Sequence, residues 1–307
     1  MIVDLPATTT SKMSKALVQI REDGGAPALA RVLTLIIVAL PEAKETAIEA
    51  AVDASREHPM RVIVLVRGRN PDPEKARLDG QVRIGHDAGA GEVIVLEAFG
   101  ATASDEEGLV TGLLLPDAPV VVWWTGDHPD DLAGSALGRI SQRRIVDSSA
   151  TSDPARSLAT LGRFYVPGDS DFAWSRVTLW RAQLAAALDQ PPYEQVTSAQ
   201  VSGTAGSAST RLLARWLGSR LGIDVTVQKV EEVHGSSGLH GVTLTRASGD
   251  ITLERLSAGT AVLVQPGQPD HEIALPRREL PSCLAEELRR LDPDELLGEL
   301  LAMGSGT

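Results

Sequence analysis

The run Val120-Val121-Val122-Trp123-Trp124 has no polar position, and that constrains the fold of this chain more than any other five residues. An alternating strand can leave one face in water, whereas a continuous apolar strand must be covered on both faces, as in the middle of a parallel sheet. The Thr125-Gly126-Asp127-His128-Pro129 that follows then stands at a carboxyl end of the sheet, where open α/β folds usually meet ligands or partners. Two more of the five tryptophans, Trp174 and Trp180, lie within Asp171 to Asp189. In a chain that is only 3% aromatic, this concentration marks one region.

Strand and helix signals alternate around the run. Thr8 to Ser11 form a cap region for a helix through Met13, Leu17 and Ile20, stopped by Gly24-Gly25. Val32 to Leu40 and Met60 to Val66 are expected strands, joined by a helix that Pro41-Glu42 opens and that runs through Ala50 to Arg56. Gln81 to Ile84 and Glu92 to Leu96 are shorter strands around the turn-rich Gly85 to Gly91. Ser104-Asp105-Glu106-Glu107 fits a capping box before a helix through Leu115. Asp127 to Leu137 is expected to be helical, Arg143 to Asp147 a strand, and Asp171 to Asp189 the longest helix, ended by Gln190-Pro191-Pro192. The alternation predicts an α/β domain over residues 1–190, with a mostly parallel sheet and helices on both faces.

Residues 191–307 are expected to form a smaller α+β domain. Its strands are Val196 to Val201, Ile223 to Val230, Gly241 to Arg246, Ile251 to Leu256 and Ala261 to Val264, with hairpin signals at Ser248-Gly249-Asp250 and Ser257-Ala258-Gly259. Thr210 to Leu221 is a helix, and Leu280 to Leu291 and Pro293 to Met303 close the chain as two more.

A length of 307 residues suits two domains, since single cores stop growing beyond about 250 residues. A net charge of −12 argues against a nucleic-acid or anionic-membrane surface and leaves a protein or small molecule as partner. Cys283, the lone cysteine, rules out an internal disulfide or a cysteine-built zinc site. The start lacks a signal-peptide pattern and Val32 to Leu40 is too short to span a membrane, so a soluble, cytoplasmic protein is expected. The common nucleotide, hydrolase and zinc-protease motifs are absent, so no catalytic residue, metal or cofactor is assigned. The six histidines, His58, His86, His128, His234, His240 and His271, are dispersed and read as loop residues. Asp127-His128-Pro129-Asp130-Asp131 could bind a metal, but such an acid-rich stretch also suits a helix start, and capping is the favoured reading. Ser202 to Thr210 could cradle a phosphate; a plain Gly/Ser loop is favoured because no lysine or arginine precedes the helix.

On a helical wheel, Ala173, Val177, Trp180, Leu184 and Leu188 make one apolar stripe, with Trp174 beside it and Arg181 between Leu188 and Trp174. A core-facing guanidinium needs a carboxylate or carbonyls. Asp171 is too far along the helix to serve, which leaves Asp147 as the expected partner. Two readings follow: a core helix with Arg181 satisfied internally, or a partner-binding groove outlined by Trp124, Asp147, Trp174 and Arg176. With their neighbours Trp123, Asp171, Trp180 and Arg181, these are the candidate contact residues.

Several segments resemble the glucose-6-phosphate dehydrogenase assembly protein family, known as OpcA. They are Ser55-Arg56-Glu57-His58-Pro59-Met60-Arg61-Val62-Ile63-Val64, Leu115-Pro116-Asp117-Ala118-Pro119 continuing into Val120 to Trp124, and Arg143-Arg144-Ile145-Val146-Asp147-Ser148. Asp171-Phe172-Ala173-Trp174-Ser175-Arg176 through Trp180-Arg181 follows, then looser matches at Leu213 to Leu217 and Arg277-Arg278. The resemblance implies a non-catalytic protein that binds glucose-6-phosphate dehydrogenase, promotes its active oligomers and supports NADPH production in the oxidative pentose phosphate pathway. The thioredoxin-linked control of cyanobacterial relatives does not carry over as an internal disulfide, given Cys283 alone. The alternative is a binder of phosphorylated metabolites, or an enzyme acting on them, at the carboxyl edge of the sheet, for which Arg61, Arg139 or Arg176 must converge.

Overall fold

The computed structural model describes residues 1–24, 31–67, 75–85, 91–232 and 238–303. His86, His234 and most of the Gly85 to Gly91 turn lie outside the described residues. In chain order the elements are β1 (Ile2–Leu5), α1 (Thr10–Gly24), β2 (Leu33–Ala39), α2 (Lys44–Ala54), β3 (Met60–Arg67), β4 (Arg77–Ile84), β5 (Glu92–Phe99), α3 (Glu106–Thr111), β6 (Val120–Trp124), α4 (Ala136–Arg139), β7 (Arg143–Val146) and α5 (Pro154–Phe164). They continue as β8 (Asp169–Asp171), α6 (Phe172–Ser175), α7 (Thr178–Leu188), β9 (Ser198–Gly203), α8 (Ala208–Leu221), β10 (Val225–Lys229), β11 (Leu239–Thr245), β12 (Ile251–Arg255), β13 (Thr260–Val264), β14 (His271–Ala274), α9 (Leu280–Arg289) and α10 (Glu295–Ala302). These form two compact units that interleave in sequence. One comprises Met1–Asp147, Val166–Ser170 and Leu280–Asp294; the other comprises Ser148–Tyr165, Asp171–Glu279 and Glu295–Thr307.

The first unit holds an eight-stranded sheet in the order β1-β4-β5-β3-β2-β6-β7-β8. Pairing is parallel from β5 through β3, β2 and β6 to β7, and antiparallel between β1 and β4 and between β4 and β5. The sheet is therefore mixed and mostly parallel. All five residues of β6 are buried, with Trp123 opposite Ile37 on one side and Ile145 on the other. β4 is longer than expected, and its antiparallel partner β1 was not anticipated. At Gly80 of β4 a Cβ would come within 2.1 Å of Met13 Sδ on α1, so any larger residue there displaces the Met13 side chain.

Charges inside this unit are paired. Arg61 of β3 donates from Nε to Glu92 and from Nη1 to the Leu113 carbonyl at 2.5 Å. Arg143 of β7 donates through Nε (3.0 Å) and Nη2 to Glu287 of α9, whose Oε2 also accepts from Ser170 Oγ at 2.6 Å. Arg144 donates to Asp169 at 2.5 Å and to the Pro167 carbonyl at 2.8 Å. Removing one member of a buried pair leaves the other charge stranded, which costs far more than deleting both.

The second unit contains the six-stranded sheet β10-β9-β11-β12-β13-β14. Only β9 and β10 are parallel, and α8 is their crossover. From β9 onward through β11 to β14 the pairing is antiparallel. α8 buries Leu212, Leu213 and Leu217 and stops at Gly222, which takes the left-handed φ of 66° that a helix terminus favours. α5, capped by the Asp153 side chain with Pro154 in its first turn, was not anticipated. Gly162 of α5 lets α10 approach closely, since a Cβ there would sit 2.9 Å from the Leu301 carbonyl.

Three expected helices differ. Asp127 to Leu137 forms turns and only the single turn α4, because short polar side chains compete for the backbone: Asp131 accepts from the Gly134 amide at 2.8 Å and Ser135 donates to the Leu132 carbonyl at 2.7 Å. Asp171 to Asp189 breaks into α6 and α7 at a tightened turn where the Val177 amide donates to Trp174 rather than one residue further back. α1 and α8 are the longer helices. At α3 the cap is Asp105, accepting from the Gly108 amide at 3.1 Å, instead of Ser104.

Glu287→Ala is expected to destabilise the protein by about 3–5 kcal/mol in urea unfolding, because Arg143 is left buried without its carboxylate. The double substitution Arg143→Met with Glu287→Leu is expected to recover most of that loss. A double variant as unstable as the single would show that the pair itself, not the stranded charge, sets the cost.

Candidate functional site

The tryptophan segment of the second unit begins at Asp171, whose buried carboxylate accepts from the Ala173 amide at 2.8 Å and the Ser148 amide at 3.1 Å. This cap fixes α6, so Trp174 points inward. The Arg181 guanidinium stacks on Trp174 at 3.7 Å from the ring centre and donates to Thr178 Oγ1 at 3.1 Å. A planar cation over an indole face keeps part of its electrostatic stabilisation while leaving water, which is how an arginine can border an apolar stripe. Trp180 is faced in the same way by Arg255 of β12, 5.4 Å from its ring.

Trp180 also borders a cleft of about 230 Å³ lying wholly within the second unit. Four arginines line it: Arg176 from the turn between α6 and α7, Arg255 from β12, and Arg277 and Arg278 from the segment ahead of α9. The cleft is also lined by Thr204 to Ser207, from the loop between β9 and α8, and by Ala208 and Ser209 at the start of α8. No carboxylate is found among the described residues that line it. Arg278 donates to the Ser175 carbonyl at 3.0 Å, and Arg255 Nη1 to the Leu275, Ala258 and Ser257 carbonyls at 2.9, 3.1 and 3.3 Å. Burial and, after it, the like charge of Arg277 pull the Arg255 guanidinium below its ordinary value.

The loop is shaped to lie close to its neighbours. A Cβ on Gly203 would clash with Thr210 Oγ1 at 2.1 Å, and Gly206 holds a φ of 77°. Thr204 and Gly238 exchange two hydrogen bonds of 2.8 Å, and Ser207 Oγ caps α8 by accepting from the Thr210 amide at 3.2 Å.

Six of the eight candidate contact residues are buried: Trp123, Trp124 and Asp147 in the first unit, and Asp171, Trp174 and Trp180 in the second. They are between 0% and 3% exposed. Arg176 and Arg181 are half-buried and are the members of that set within reach of another molecule. Of the arginines expected to converge, only Arg176 does so; Arg61 is held by Glu92, and Arg139 pairs with Glu107 at 3.0 Å. Arg255, Arg277 and Arg278 complete the cleft from distant segments, and nothing in their local sequence marks them. In the Asp127 to Asp131 stretch, His128 Nδ1 lies 2.9 Å from the Pro129 carbonyl, and among the described residues no group of three or more metal-binding side chains occurs. Among the described residues, likewise, no helix is long and apolar enough to cross a membrane.

Two family models match this chain in order. One, described as the glucose-6-phosphate dehydrogenase subunit N-terminal domain, covers residues 51–163; the other, the corresponding C-terminal domain, covers residues 167–301. The chain belongs to the OpcA family of glucose-6-phosphate dehydrogenase assembly proteins. It is 33% identical over 88 residues to an OxPP cycle protein OpcA of Synechocystis, a stretch covering 27% of this chain and 18% of that relative, so less than a fifth of the relative's length is spanned. Among solved structures it is similar to an oxidoreductase from Sinorhizobium meliloti (TM-score 0.48, 11% identity, 89% of this chain and 94% of that one). It is also similar to the probable oxidoreductase yhhX (TM-score 0.46, 11% identity, 90% and 97%). The joint between the two family domains falls between α5 and β8.

Arg181→Met keeps an apolar body on Trp174 but loses the cation, and is expected to cost about 1 kcal/mol in thermal unfolding with an unchanged far-ultraviolet circular dichroism spectrum. Loss of the folded spectrum would instead make the Arg181 charge a structural requirement of the unit.

Proposed function

We propose that this protein is a non-catalytic assembly factor that binds glucose-6-phosphate dehydrogenase in the cytoplasm and favours its active oligomer, raising NADPH output in the oxidative pentose phosphate pathway. The observation that carries this reading is the ordered match of both family domains over residues 51–163 and 167–301.

The residues at the first sheet's switch point support a non-catalytic role. From β2 the chain passes to β3 on one side and later to β6 on the other, the place where doubly wound sheets take a nucleotide. A phosphate-binding turn there needs glycines and an unencumbered helix start. Here the turn is Leu40-Pro41-Glu42-Ala43, and Glu45 sits in the first turn of α2. A proline and Glu42 thus stand where a phosphate-binding turn would present glycine amides, and Glu45 is taken up by Arg83 at 2.8 Å.

The mechanism is a population shift: the protein binds the active oligomer more tightly than the inactive form. Moving a two-state balance from mostly inactive to mostly active takes about 5.5 kcal/mol of differential affinity, within reach of an interface of standard size. Arg176 and Arg181 are assigned to the contact, Arg181 positioned by the buried Trp174 on which it stacks, since arginine is enriched among residues that dominate interfaces. The net charge of −12 steers the protein towards a basic region of the dehydrogenase, within which Arg176 and Arg181 need acidic or aromatic groups opposite them.

Titrating the protein into a fixed amount of the same organism's dehydrogenase is expected to raise the rate of NADPH formation to a plateau, with no NADPH from this protein alone. The apparent affinity is expected to fall several-fold between about 50 and 300 mM salt, as screening weakens the charged contact. An unchanged rate at saturating protein would contradict the activator reading.

A further inference from the structure

The sheet of the second unit has one covered face and one open face. Alternation along its strands sets the covered one: Ala199 and Val201 of β9, Val242 and Leu244 of β11 and Leu253 of β12 are buried, and α8 packs against β9 and β10. The residues between them point the other way. Gln200, Thr243, Thr252 and Val264 stand in register across four strands, and Gln228, Ser202, Gly241, Glu254, Val262 and Glu272 across all six. Apart from Gly241, the side chains of these two rows are half-buried or exposed.

A sheet face kept for water usually carries long charged side chains, which also prevent stacking on another sheet. In a chain that is 23% charged, the paired positions of this face hold no lysine or arginine, and Glu254 and Glu272 are their charged residues. Short threonine and valine side chains make the rest nearly flat, and such faces approach to the roughly 10 Å of packed sheets. Gly241 lowers the middle of the face: a Cβ there would come 3.0 Å from Ser202 Oγ and 3.3 Å from Glu254 Cγ. Six strands about 4.8 Å apart, each about five residues long, give a plate of roughly 29 by 17 Å. Its flat area of about 490 Å² is over half of the roughly 800 Å² that a standard interface takes from each partner, which suits a reversible dimer.

We infer that this open face binds the same face of a second copy of the chain, about a two-fold axis that runs along the strands between β11 and β12. The strand order decides what such an axis brings together. β11 lies over β12 of the other copy, so Thr243 meets Thr252; β10 lies over β14, so the Gln228 amide meets the Glu272 carboxylate. Glu254 faces the space left by Gly241. Neither carboxylate meets another, so the face is self-complementary although each chain carries a net charge of −12. Arg255 and the other inward residues of the sheet lie on its covered side, which leaves the arginine-lined cleft outside this interface.

The test uses the full chain by itself and so does not depend on the dehydrogenase reading. Sedimentation equilibrium between about 1 and 200 μM is expected to show a mass rising from one chain, 32.5 kDa, towards twice that value. Raising the salt from about 50 to 500 mM is expected to tighten association a few-fold, since it screens the repulsion between two acidic chains. Thr243→Arg places a guanidinium at the centre of the face and is expected to hold the protein at one chain throughout. Gln228→Glu, at an exposed position, is expected to weaken the dimer about tenfold, and adding Glu272→Lys to restore it, because a carboxylate then faces an ammonium. A mass of one chain at every concentration, or a dimer that neither Thr243→Arg nor Gln228→Glu weakens, would overturn the inference. A chain that stays single by itself, yet loses a complex with the dehydrogenase on Thr243→Arg, would give the face to that enzyme and overturn the second copy as its occupant.

Discussion

Parallel pairing of β2, β3, β6 and β7 takes both faces of these strands out of water, and the first unit is organised around that burial. Apolar runs satisfy it along most of the sheet. Where a strand carries arginine, the charge must be met by a carboxylate, and the partner is drawn from wherever the chain can supply it. Arg143 and Glu287 are separated by 144 positions, yet their pairing ties α9 to β7. α9 also packs on α2, where His58 Nε2 lies 3.1 Å from the Ala285 carbonyl. A helix near the end of the chain is thus part of the unit that begins at its start.

The second unit treats arginine differently. Arg181 spreads its charge over an indole, Arg255 and Arg278 lean on carbonyls, and the cleft between them lacks a lining carboxylate among the described residues. Stacking and carbonyl contact are weaker holds on a guanidinium than the buried carboxylate pairs Arg143–Glu287 and Arg144–Asp169.

β2, β3 and β6 are legible in the sequence because a strand buried on both faces must be written as an unbroken apolar run, and such runs have few other uses. α8 is legible from its apolar spacing and its terminal glycine. β1 and β14 are short and largely exposed, so little patterning marks them. The break between α6 and α7 leaves the apolar stripe nearly intact, since Ala173, Val177, Trp180 and Leu184 remain buried across it, and periodicity alone gives no sign of the tightened turn. The tryptophans stand out by type, but type does not separate a core anchor from a contact residue; burial does. The cleft is hidden for another reason. The absence of a basic residue before α8 argues for a plain loop, whereas the arginines that line the same cleft as this loop come from positions 176, 255, 277 and 278, brought together only by folding.

The most direct measurement is the mass, by light scattering during size-exclusion chromatography, of this protein and the dehydrogenase applied separately and then mixed at moderate salt with substrate and NADP present. The assembly reading requires a co-eluting species heavier than either component, containing both chains and a larger share of the active oligomer. Two unshifted peaks at concentrations well above those of the rate titration would contradict it.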